Sequence, residues 1–290
     1  MKLLVTGATG FIGRALADEA KRRGHSVVAV SRDASKGAAW DPMSGPLPAA
    51  LLERVDAVVH LAGENVGTGR WTKGKMAAIR DSRVIGTRNL VAGLAAKKPK
   101  ALVCGSAIGF YGSRGDEVLT EQSPGGGDFL AGVCREWEAE AGKARGHGVR
   151  VACVRTGVVL GRGGGALAQM LFPFRMNMGG PVAGGKQWMS WVHLNDIVGL
   201  LLHAAEKEIE GPMLGTAPLP VTNYDFTKTL GRVMGKWTFL PMPGFMLRVI
   251  KGKFAEVIAG SQRCDPVVAK QTGYGFRHPT LEGALRQILS

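Results

Sequence analysis

Short apolar runs along the chain alternate with stretches in which apolar residues recur at helical spacing. After the first run, Ile12, Ala15, Leu16 and Ala20 share one face of a predicted helix that ends at Gly24. Apolar runs bounded by turn residues are typical of buried strands. The pattern predicts helices over residues 12–24, 79–96 and 129–145, and strands over residues 3–5, 26–30, 57–61, 102–104 and 149–154.

Strands that alternate with helices indicate right-handed crossovers and a mainly parallel sheet. The sequence therefore predicts an α/β fold, a Rossmann-type doubly wound parallel sheet with a smaller C-terminal lobe. The dinucleotide-binding domain is expected over residues 1–170, with residues 188–210 packed on it. Residues 171–187 would connect or cover the two parts. The substrate-side lobe would span residues 211–290, where Pro and Gly become frequent.

A glycine-rich loop joins the first predicted strand to the first helix, with the sequence TGATGFIG at residues 6–13. The first glycine permits a tight turn, the second lets the backbone approach a pyrophosphate, and the third allows close packing of helix and strand. The amide groups at the start of the helix then face the phosphates. This context predicts a dinucleotide site formed by Gly7, Thr9, Gly10, Phe11, Ile12 and Gly13.

The end of the second strand distinguishes the two nicotinamide dinucleotides. NAD-binding folds usually place Asp or Glu there, and its carboxylate accepts hydrogen bonds from the ribose hydroxyls. In this chain Ser31 and Arg32 come first and Asp33 follows them. A hydroxyl and a guanidinium suit a 2′-phosphate, and one charged hydrogen bond contributes about 1.5–3 kcal/mol. We therefore predict NADP(H) as the cofactor; the alternative is that Arg32 only covers the adenine or is solvated.

The net charge of +14 raises the question of an anionic partner, because basic proteins bind nucleic acids, membranes and phosphates. The Lys and Arg residues are scattered, however, and the sequence has no nucleic-acid-binding motif. The four cysteines lack the spacing of zinc ligands, so we predict no metal site. We find no signal segment and no apolar run of membrane-spanning length. We expect a cytoplasmic protein with a small-molecule substrate and no nucleic-acid or membrane partner, and the sequence leaves the oligomeric state open.

With these features in place, the chain resembles the extended short-chain dehydrogenase/reductase superfamily. Within it, the chain is similar to an atypical NAD(P)-dependent epimerase-like family whose members are mostly uncharacterised. The resemblance covers nearly the whole chain. It rests on an ordered series of motifs: TGATGFIG at 6–13, HLAGEN at 60–65, RWT at 70–72, SRVIGTRNL at 82–90, SAIGFYG at 106–112, FLAGVCREWE at 129–138, RTGVVLGRGGG at 155–165 and WVHLNDI at 191–197.

The resemblance implies further contacts with the cofactor. Leu61, Ala62 and Gly63, after a predicted strand, would line its adenosine and ribose side. Arg83 would face the cofactor from the helix that follows. Val158, after the strand that ends near residue 155, would lie beside the nicotinamide.

The resemblance breaks at the active site. Typical members carry Tyr-x-x-x-Lys on one helix, and the Lys lowers the pKa of the Tyr so that it exchanges a proton during hydride transfer. If Trp137 and Glu138 are aligned with the conserved end of that helix, the Tyr position falls on Leu130 and the Lys position on Cys134. The loss of such a general acid/base typically lowers the rate about 10²–10⁴-fold. The sequence therefore keeps the cofactor motifs and lacks the usual proton-transfer pair.

Three other residues are candidates for the missing chemistry. The family's serine falls on Ser106 or Ala107, and Tyr111 lies in the same loop, near the expected nicotinamide. Glu64 would project from a strand end toward the cleft as a base. Tyr111 could instead be a packing aromatic residue, and Glu64 could cap a turn. A lone cysteine on an apolar helix face, such as Cys134, is usually part of the core.

Together these patterns predict an NADP(H)-binding oxidoreductase or epimerase-like enzyme with a non-standard active site. The rival hypothesis is a non-catalytic NADP(H)-binding sensor or scaffold. A group of large apolar residues could also form a cover over the cleft, which would suit a substrate with hydrophobic character, although core packing explains the same residues. They are Phe172, Phe174, Met176, Met178, Trp188 and residues 241–245.

Overall fold

The computed structural model describes the backbone of residues 1–290 and every side chain except those of residues 250 and 251. Its first half alternates between strands and helices, and the predicted elements are present with shifts of a few residues at most of their ends. The elements are β1 (Lys2–Thr6), α1 (Phe11–Arg22), β2 (Ser26–Ser31), β3 (Ala38–Ala39), β4 (Ala57–His60), α2 (Lys73–Leu94), β5 (Ala101–Ala107), β6 (Val118–Leu119), α3 (Phe129–Gly142), β7 (Arg150–Thr156) and β8 (Val158–Gly161).

The second half contains shorter strands and more helix. Side-chain caps set several helix starts, as at α6, where the Thr222 hydroxyl accepts a hydrogen bond from the Asp225 amide at 3.1 Å. The elements are α4 (Gly165–Arg175), β9 (Trp188–Met189), β10 (Trp191–His193), α5 (Leu194–Glu206), β11 (Gly211–Gly215), β12 (Val221–Thr222), α6 (Asn223–Met234), α7 (Gly244–Lys251), α8 (Phe254–Ala259), β13 (Arg263–Cys264), α9 (Val267–Gln271) and α10 (Leu281–Leu289).

Seven strands form the central sheet in the order β11-β7-β5-β4-β1-β2-β3, and all neighbouring pairs are parallel. The chain runs outward from β1 to β3 and then starts again in the other direction at β4. The strand order therefore reverses between β1 and β4, where Thr6 lies beside His60. Open parallel sheets bind ligands beyond the carboxyl ends of their strands at such a switch point. The predicted doubly wound Rossmann-type fold is confirmed.

Helices cover both faces of this sheet. Leu3 and Val5 face one apolar cluster together with α1 and α5, whereas Leu4 faces a second cluster together with α2 and α3. Both faces of the strands are buried in this way. This explains why the strands appear in the sequence as continuous apolar runs rather than as alternating apolar and polar positions.

A third apolar cluster lies outside the central sheet and forms the core of the smaller lobe. It is built from β8, β10, α4, α6 and α10, through residues that include Leu160, Phe174, Trp191, Phe226 and Leu285. Several of its elements precede residue 211, so the lobe is not one continuous C-terminal segment.

The predicted lobe boundary at residue 211 coincides with the start of a sheet strand. β11 pairs in parallel with β7 and is the outer strand of the central sheet. The following part of the chain is also fastened to α5, because the Asp196 carboxylate accepts hydrogen bonds from the amides of Arg277 (2.8 Å) and His278 (2.9 Å). The central sheet therefore includes residues 211–215, which we had placed in the smaller lobe.

The predicted apolar cover divides into buried and exposed residues. Phe174 is buried in the lobe core, and Trp188 is half-buried, with its indole nitrogen donating to Asp116 at 2.7 Å. By contrast, Phe172, Met176 and Phe245 each expose more than half of their surface. Phe174 is thus a core residue rather than part of a cover.

Candidate cofactor site and active-site cleft

The loop between β1 and α1 is shaped by close backbone contacts. Gly7 has a φ of +69°, and a Cβ atom there would lie 2.7 Å from the carbonyl carbon of Leu61. A Cβ atom on Gly13 would overlap the Gly7 carbonyl oxygen. Any larger residue at either position would push the loop away from the strand or from α1. The glycines therefore have the packing roles that the motif predicts.

The start of α1 is open to an anion. Its N-cap is Gly10, and among the described residues no side chain caps this end and no acidic residue lies in the first turn. Thr9 and Gly10 are exposed, whereas Ile12 packs against the core. Uncapped amides and the helix dipole together favour a bound phosphate.

Phe11 has a packing role that the sequence did not reveal. Its ring lies against the glycines of the β8–α4 loop, where Cβ atoms on Gly161 and Gly165 would each lie 2.8 Å from it. Gly164 is closer still, at 2.5 Å. The side chain is therefore partly buried by this packing, and its ring remains partly exposed. This contact fixes the phosphate-side loop against the loop that follows β8.

At the end of β2, the acidic residue is paired and the basic one is not. The Asp33 carboxylate contacts Lys36 at 2.7 Å and accepts a hydrogen bond from the Ser35 amide at 3.0 Å. The Lys36 ammonium and Ser35 lower the pKa of Asp33 to about 2. Arg32 is exposed and forms no hydrogen bond or ion pair with any side chain that the structure describes. The Ser31 hydroxyl accepts a hydrogen bond from the Asp33 amide at 3.1 Å.

The end of β4 contains a buried histidine that sequence reasoning missed. The His60 ring contacts the hydroxyls of Thr6 at 2.6 Å and Thr87 at 3.1 Å. Burial, reinforced by the charge of Arg83, lowers the pKa of His60 to about 4, so the ring is neutral. The Ala62 amide donates to the Thr6 hydroxyl at 3.4 Å. This network holds the segment after β4 next to the turn at Gly7.

Arg83 reaches the same place from α2. Its guanidinium donates to the carbonyl oxygens of Glu64 (3.0 Å) and Ile79 (3.1 Å) and lies over the Trp137 ring at 5.1 Å. A Cβ atom on Gly63 would lie 3.3 Å from the Arg83 Cζ atom. Burial lowers the pKa of Arg83. None of the carboxylates that the structure describes forms an ion pair with it, so its direct contacts are with backbone carbonyls and the Trp137 ring.

Glu64 and Ser106 are each engaged by a neighbouring side chain. The Glu64 carboxylate, partly exposed beside the cleft, pairs with the Lys75 ammonium, and its backbone amide donates to Ser82 at 2.9 Å. The Ser106 hydroxyl donates to the Glu138 carboxylate at 2.6 Å and is almost fully buried. Of these two candidates, only Glu64 keeps a solvent-accessible functional group.

Tyr111 does not fit the acid/base role that we expected. Its side chain is fully buried, its hydroxyl donates to the Thr120 carbonyl at 2.9 Å, and it accepts from Arg155 at 2.9 Å. Burial raises the pKa of Tyr111 far above its usual range. The packing alternative is therefore the one that the structure supports, because no proton can leave this hydroxyl without breaking a buried network.

That network centres on a buried ion pair between α3 and β7. Two nitrogens of the Arg155 guanidinium bind the two carboxylate oxygens of Glu138, each at 2.8 Å. The same guanidinium lies 3.4 Å from the centre of the Phe110 ring and donates to the Glu121 carbonyl at 3.2 Å. Sequence reasoning missed this pair, which fixes the loop after β5.

The positions aligned with Tyr-x-x-x-Lys lie beside that loop. Leu130 faces Gly109, and a Cβ atom added to Gly109 would lie 3.3 Å from the Cβ atom of Leu130. The Cys134 thiol contacts the Ala107 carbonyl at 3.8 Å. Burial raises the pKa of Cys134 to about 11, so the thiol stays protonated and is a poor nucleophile. Neither residue can transfer a proton.

The remaining predicted contact is Val158. It is half-buried at the start of β8, and it pairs with Trp191 of β10. It follows β7 directly, so it lies at the carboxyl end of the sheet, while its side chain packs against the core of the smaller lobe.

No three His, Cys, Asp or Glu side chains of the described residues are grouped so that they could hold a metal ion. Within the described chain, no helix combines the length and apolar character needed to cross a membrane.

Comparisons with known proteins agree with this geometry. Residues 3–214 match the model of the NAD dependent epimerase/dehydratase family, and residues 242–288 match a domain of unknown function (DUF1731). The chain is 38% identical over 298 residues to the human epimerase family protein SDR39U1, with both proteins covered completely. It is 39% identical over 303 residues to the chloroplastic SDR39U1 homolog of Arabidopsis thaliana, covering all of this chain and 87% of the relative.

Solved structures give the same result. The crystal structure of human SDR39U1 (isoform 2) with NADPH matches with a TM-score of 0.91 at 35% identity, and 99% of each chain is covered. UDP-glucose 4-epimerase from Thermotoga maritima shares the fold, with a TM-score of 0.81, 19% identity and coverage of 100% of this chain and 97% of that one. The match of the family model over most of the sheet, together with these full-length relatives, shows that the chain belongs to the NAD dependent epimerase/dehydratase family.

Proposed function

We propose that the protein binds NADPH across the switch point of its sheet and acts as an oxidoreductase or epimerase-like enzyme on a small-molecule substrate. Two neighbouring features carry this proposal. The N-terminus of α1 has no side-chain cap, and Arg32 at the end of β2 forms no ion pair with the described side chains. The human relative that was crystallised with NADPH supports it. The residues fit the cofactor, because Gly7 and Gly13 let the loop and α1 pack closely and no side chain caps the exposed amides at the start of α1.

The chain's own groups have separate roles in this proposal. The amides at the start of α1 hold the diphosphate, Ser31 and Arg32 hold the 2′-phosphate, and the backbone of residues 61–63 lies along the adenosine and ribose side. When bound, the cofactor would supply or accept the hydride, and Val158 at the carboxyl end of the sheet would lie beside its nicotinamide.

Replacing Arg32 with alanine tests the cofactor assignment. We expect the Kd for NADPH to rise about 10–100-fold, because one charged hydrogen bond contributes about 1.5–3 kcal/mol, while the Kd for NADH stays within about twofold. Calorimetric titration of both dinucleotides measures the change. Lys98→Ala serves as the control, because it removes an exposed cation near the amino end of β5. This variant should leave the Kd values for NADPH and NADH unchanged. An unaltered preference for NADPH in Arg32→Ala would refute the role of Arg32.

We further propose that Arg83 supplies the positive charge that the superfamily's lysine supplies elsewhere. The guanidinium touches Gly63, and its charge reaches the Cys134 thiol, which occupies the lysine position in the sequence alignment. Its charge has no carboxylate partner among the described residues, so it remains available to hydroxyl groups of the cofactor. An arginine from α2 would thus replace a lysine from α3.

The variant Arg83→Gln should weaken NADPH binding about tenfold, because a charged hydrogen-bond donor contributes on the order of 1.5 kcal/mol or more. Energy transfer from tryptophan to bound NADPH gives the Kd, and a thermal melt reports any loss of folded protein. The matched control is Arg80→Gln, one turn earlier on α2, where the side chain forms exposed pairs with Asp81 and Glu136. If both variants bind NADPH as the unaltered protein does, Arg83 does not contact the cofactor.

Glu64 is the remaining candidate for proton transfer. Its carboxylate is partly exposed and forms an ion pair with the Lys75 ammonium, whereas the Ser106 hydroxyl is bound to Glu138. We propose that Glu64 acts as the acid/base and that Ser106 fixes the backbone of the loop after β5 through Glu138.

The second candidate function is a sensor or scaffold that binds NADPH without turnover. The observation that favours it is the pair Leu130 and Cys134, which removes the superfamily's usual acid/base. The two functions differ in turnover, measured with panels of carbonyl compounds and sugar nucleotides by the nicotinamide absorbance and by chromatography of the products. Net oxidation of NADPH, or conversion of a sugar nucleotide to its epimer with the cofactor regenerated, supports the enzyme. The absence of both with all compounds supports the sensor.

For the cellular setting, we propose a cytoplasmic protein without a nucleic-acid partner. Support comes from the scattered distribution of the Lys and Arg residues and from the absence of a recognisable nucleic-acid-binding motif.

A further inference from the structure

The most exposed large apolar side chains of the protein are not scattered over its surface. Among the described side chains, the six with the greatest exposed fractions lie in two segments, at the end of α4 and between residues 237 and 249. Each exposes more than half of its surface. They are Phe172, Met176, Trp237, Phe239, Phe245 and Val249, and we call them the apolar face.

The two segments are joined by backbone contacts. The Met242 amide donates to the Pro181 carbonyl and the Ala183 amide donates to the Met242 carbonyl, each at 2.9 Å. The Leu240 carbonyl packs directly on Gly180. Residues 179–183 follow the end of α4 by three residues. The end of α4 and the segment leading into α7 therefore lie next to each other. The apolar face therefore belongs to a single region of the smaller lobe.

The anchoring of this region leaves the large side chains outside. Leu247 of α7 is buried, while Phe245 and Val249 of the same helix are exposed. Residues 236–238 are held along α6, where Lys228 donates to the Thr238 carbonyl at 3.2 Å. The exposed side chains therefore belong to a segment that is fixed to the rest of the protein at several points. Exposed clusters of this kind mark interaction sites rather than ordinary surface.

The charge around the apolar face is predominantly positive, although Glu256 lies beside Phe245 and Arg248, and Glu282 pairs with Arg232. The sequence has no Asp or Glu between Asp225 and Glu256, and this stretch contains six basic residues. It also has none between Glu140 and Asp196, the stretch that includes α4. The basic residues of the first stretch are Lys228, Arg232, Lys236, Arg248, Lys251 and Lys253. This excess of positive charge favours a partner that accepts apolar side chains and carries negative charge.

We infer that the apolar face docks on the surface of an anionic phospholipid bilayer. Apolar and aromatic side chains enter the boundary between headgroups and acyl chains, while flanking Lys and Arg side chains contact the anionic headgroups. Aliphatic side chains such as Met176 and Val249 gain from acyl chains but cannot stack on bases, which favours lipid over nucleic acid. The sequence led us to expect no membrane partner because it has no spanning segment, and docking on a surface requires none.

Co-sedimentation with lipid vesicles tests this inference on the intact protein. Vesicles of phosphatidylcholine alone are compared with vesicles in which a third of the lipid is phosphatidylglycerol, at low and high salt. We expect binding to the anionic vesicles that weakens with salt, and a blue shift of the tryptophan emission that disappears in Trp237→Phe. The double variant Trp237→Ser/Phe239→Ser should bind at least about tenfold more weakly, since both side chains lose their burial in the bilayer.

Two controls separate docking from other effects. The double variant Val118→Ser/Met43→Ser removes exposed apolar side chains elsewhere and should bind vesicles as the unaltered protein does. Both double variants should keep their NADPH affinity, so failure of this inference is distinguishable from failure of the proposed function. The inference is overturned if anionic vesicles do not bind the protein or if Trp237→Ser/Phe239→Ser binds them equally well. It is also overturned if the same variant instead abolishes a concentration-dependent dimer or the retention of RNA.

Discussion

Loss of the Arg155 guanidinium should lower the free energy of unfolding by about 3–5 kcal/mol, which is a large part of the total stability of a typical domain. The variant Arg155→Met keeps an unbranched apolar side chain but leaves the Glu138 carboxylate with Ser106 as its remaining side-chain partner. The Tyr111 hydroxyl and the Glu121 carbonyl lose a donor at the same time. Chemical denaturation monitored by circular dichroism measures the change.

A paired variant shows whether the uncompensated carboxylate is the cause. Replacing both residues, Arg155→Met and Glu138→Leu, removes the buried charge as well as its partner. This double variant should recover more than half of the lost stability, because apolar replacement of a whole buried pair is often neutral. A loss below about 1 kcal/mol in Arg155→Met alone would contradict the prediction, since it would place the pair among ordinary surface ion pairs.

The variant Gly13→Ala should lower the free energy of unfolding by about 1–3 kcal/mol and weaken NADPH binding at least about tenfold. The new methyl group would overlap the Gly7 carbonyl oxygen, so α1 must move away from β1. This movement displaces the amides that are proposed to hold the diphosphate. Denaturation and fluorescence titration with NADPH measure the two effects.

Gly132→Ala in α3 is the matched control for this variant. A Cβ atom at Gly132 meets only the end of the Arg135 side chain, at 4.0 Å, and alanine is favoured over glycine inside helices by about 0.5–1 kcal/mol. This variant should therefore be as stable as the unaltered protein or more so, with the same NADPH affinity. If Gly13→Ala behaves in the same way, the close approach of α1 to the loop is not required.

The sequence predicted the helix–strand alternation well, and the exceptions have physical causes. α2 begins at Lys73 rather than near residue 79, because its first turn is polar and depends on a cap. Thr72 accepts a hydrogen bond from the Lys75 amide at 3.2 Å, a signal that apolar periodicity does not contain. β11 was missed because Pro212 argues against a strand, yet proline is tolerated in an outer strand such as this one.

The cofactor loop and the catalytic residues differ in how far the sequence could predict them. The positive φ of Gly7 and the contact of Gly13 with Gly7 lie within the eight-residue motif, so the motif was sufficient to predict these roles. The roles of Tyr111, Ser106 and Arg155 depend on contacts between β5, α3 and β7, which are distant in sequence. A loop sequence gives the position of Tyr111 but not the direction of its ring, and that direction decides whether the hydroxyl reaches the cleft or Arg155.

The outer position of β11 also has a consequence for how the chain acquires its structure during synthesis. The ribosome releases the chain from its amino end, and the edge of β7 stays unpaired until residue 215 has emerged. An unpaired strand edge is open to association with other chains. The central sheet is therefore complete only when a strand from the second half of the chain has joined it, and until then the nascent protein exposes the edge of β7.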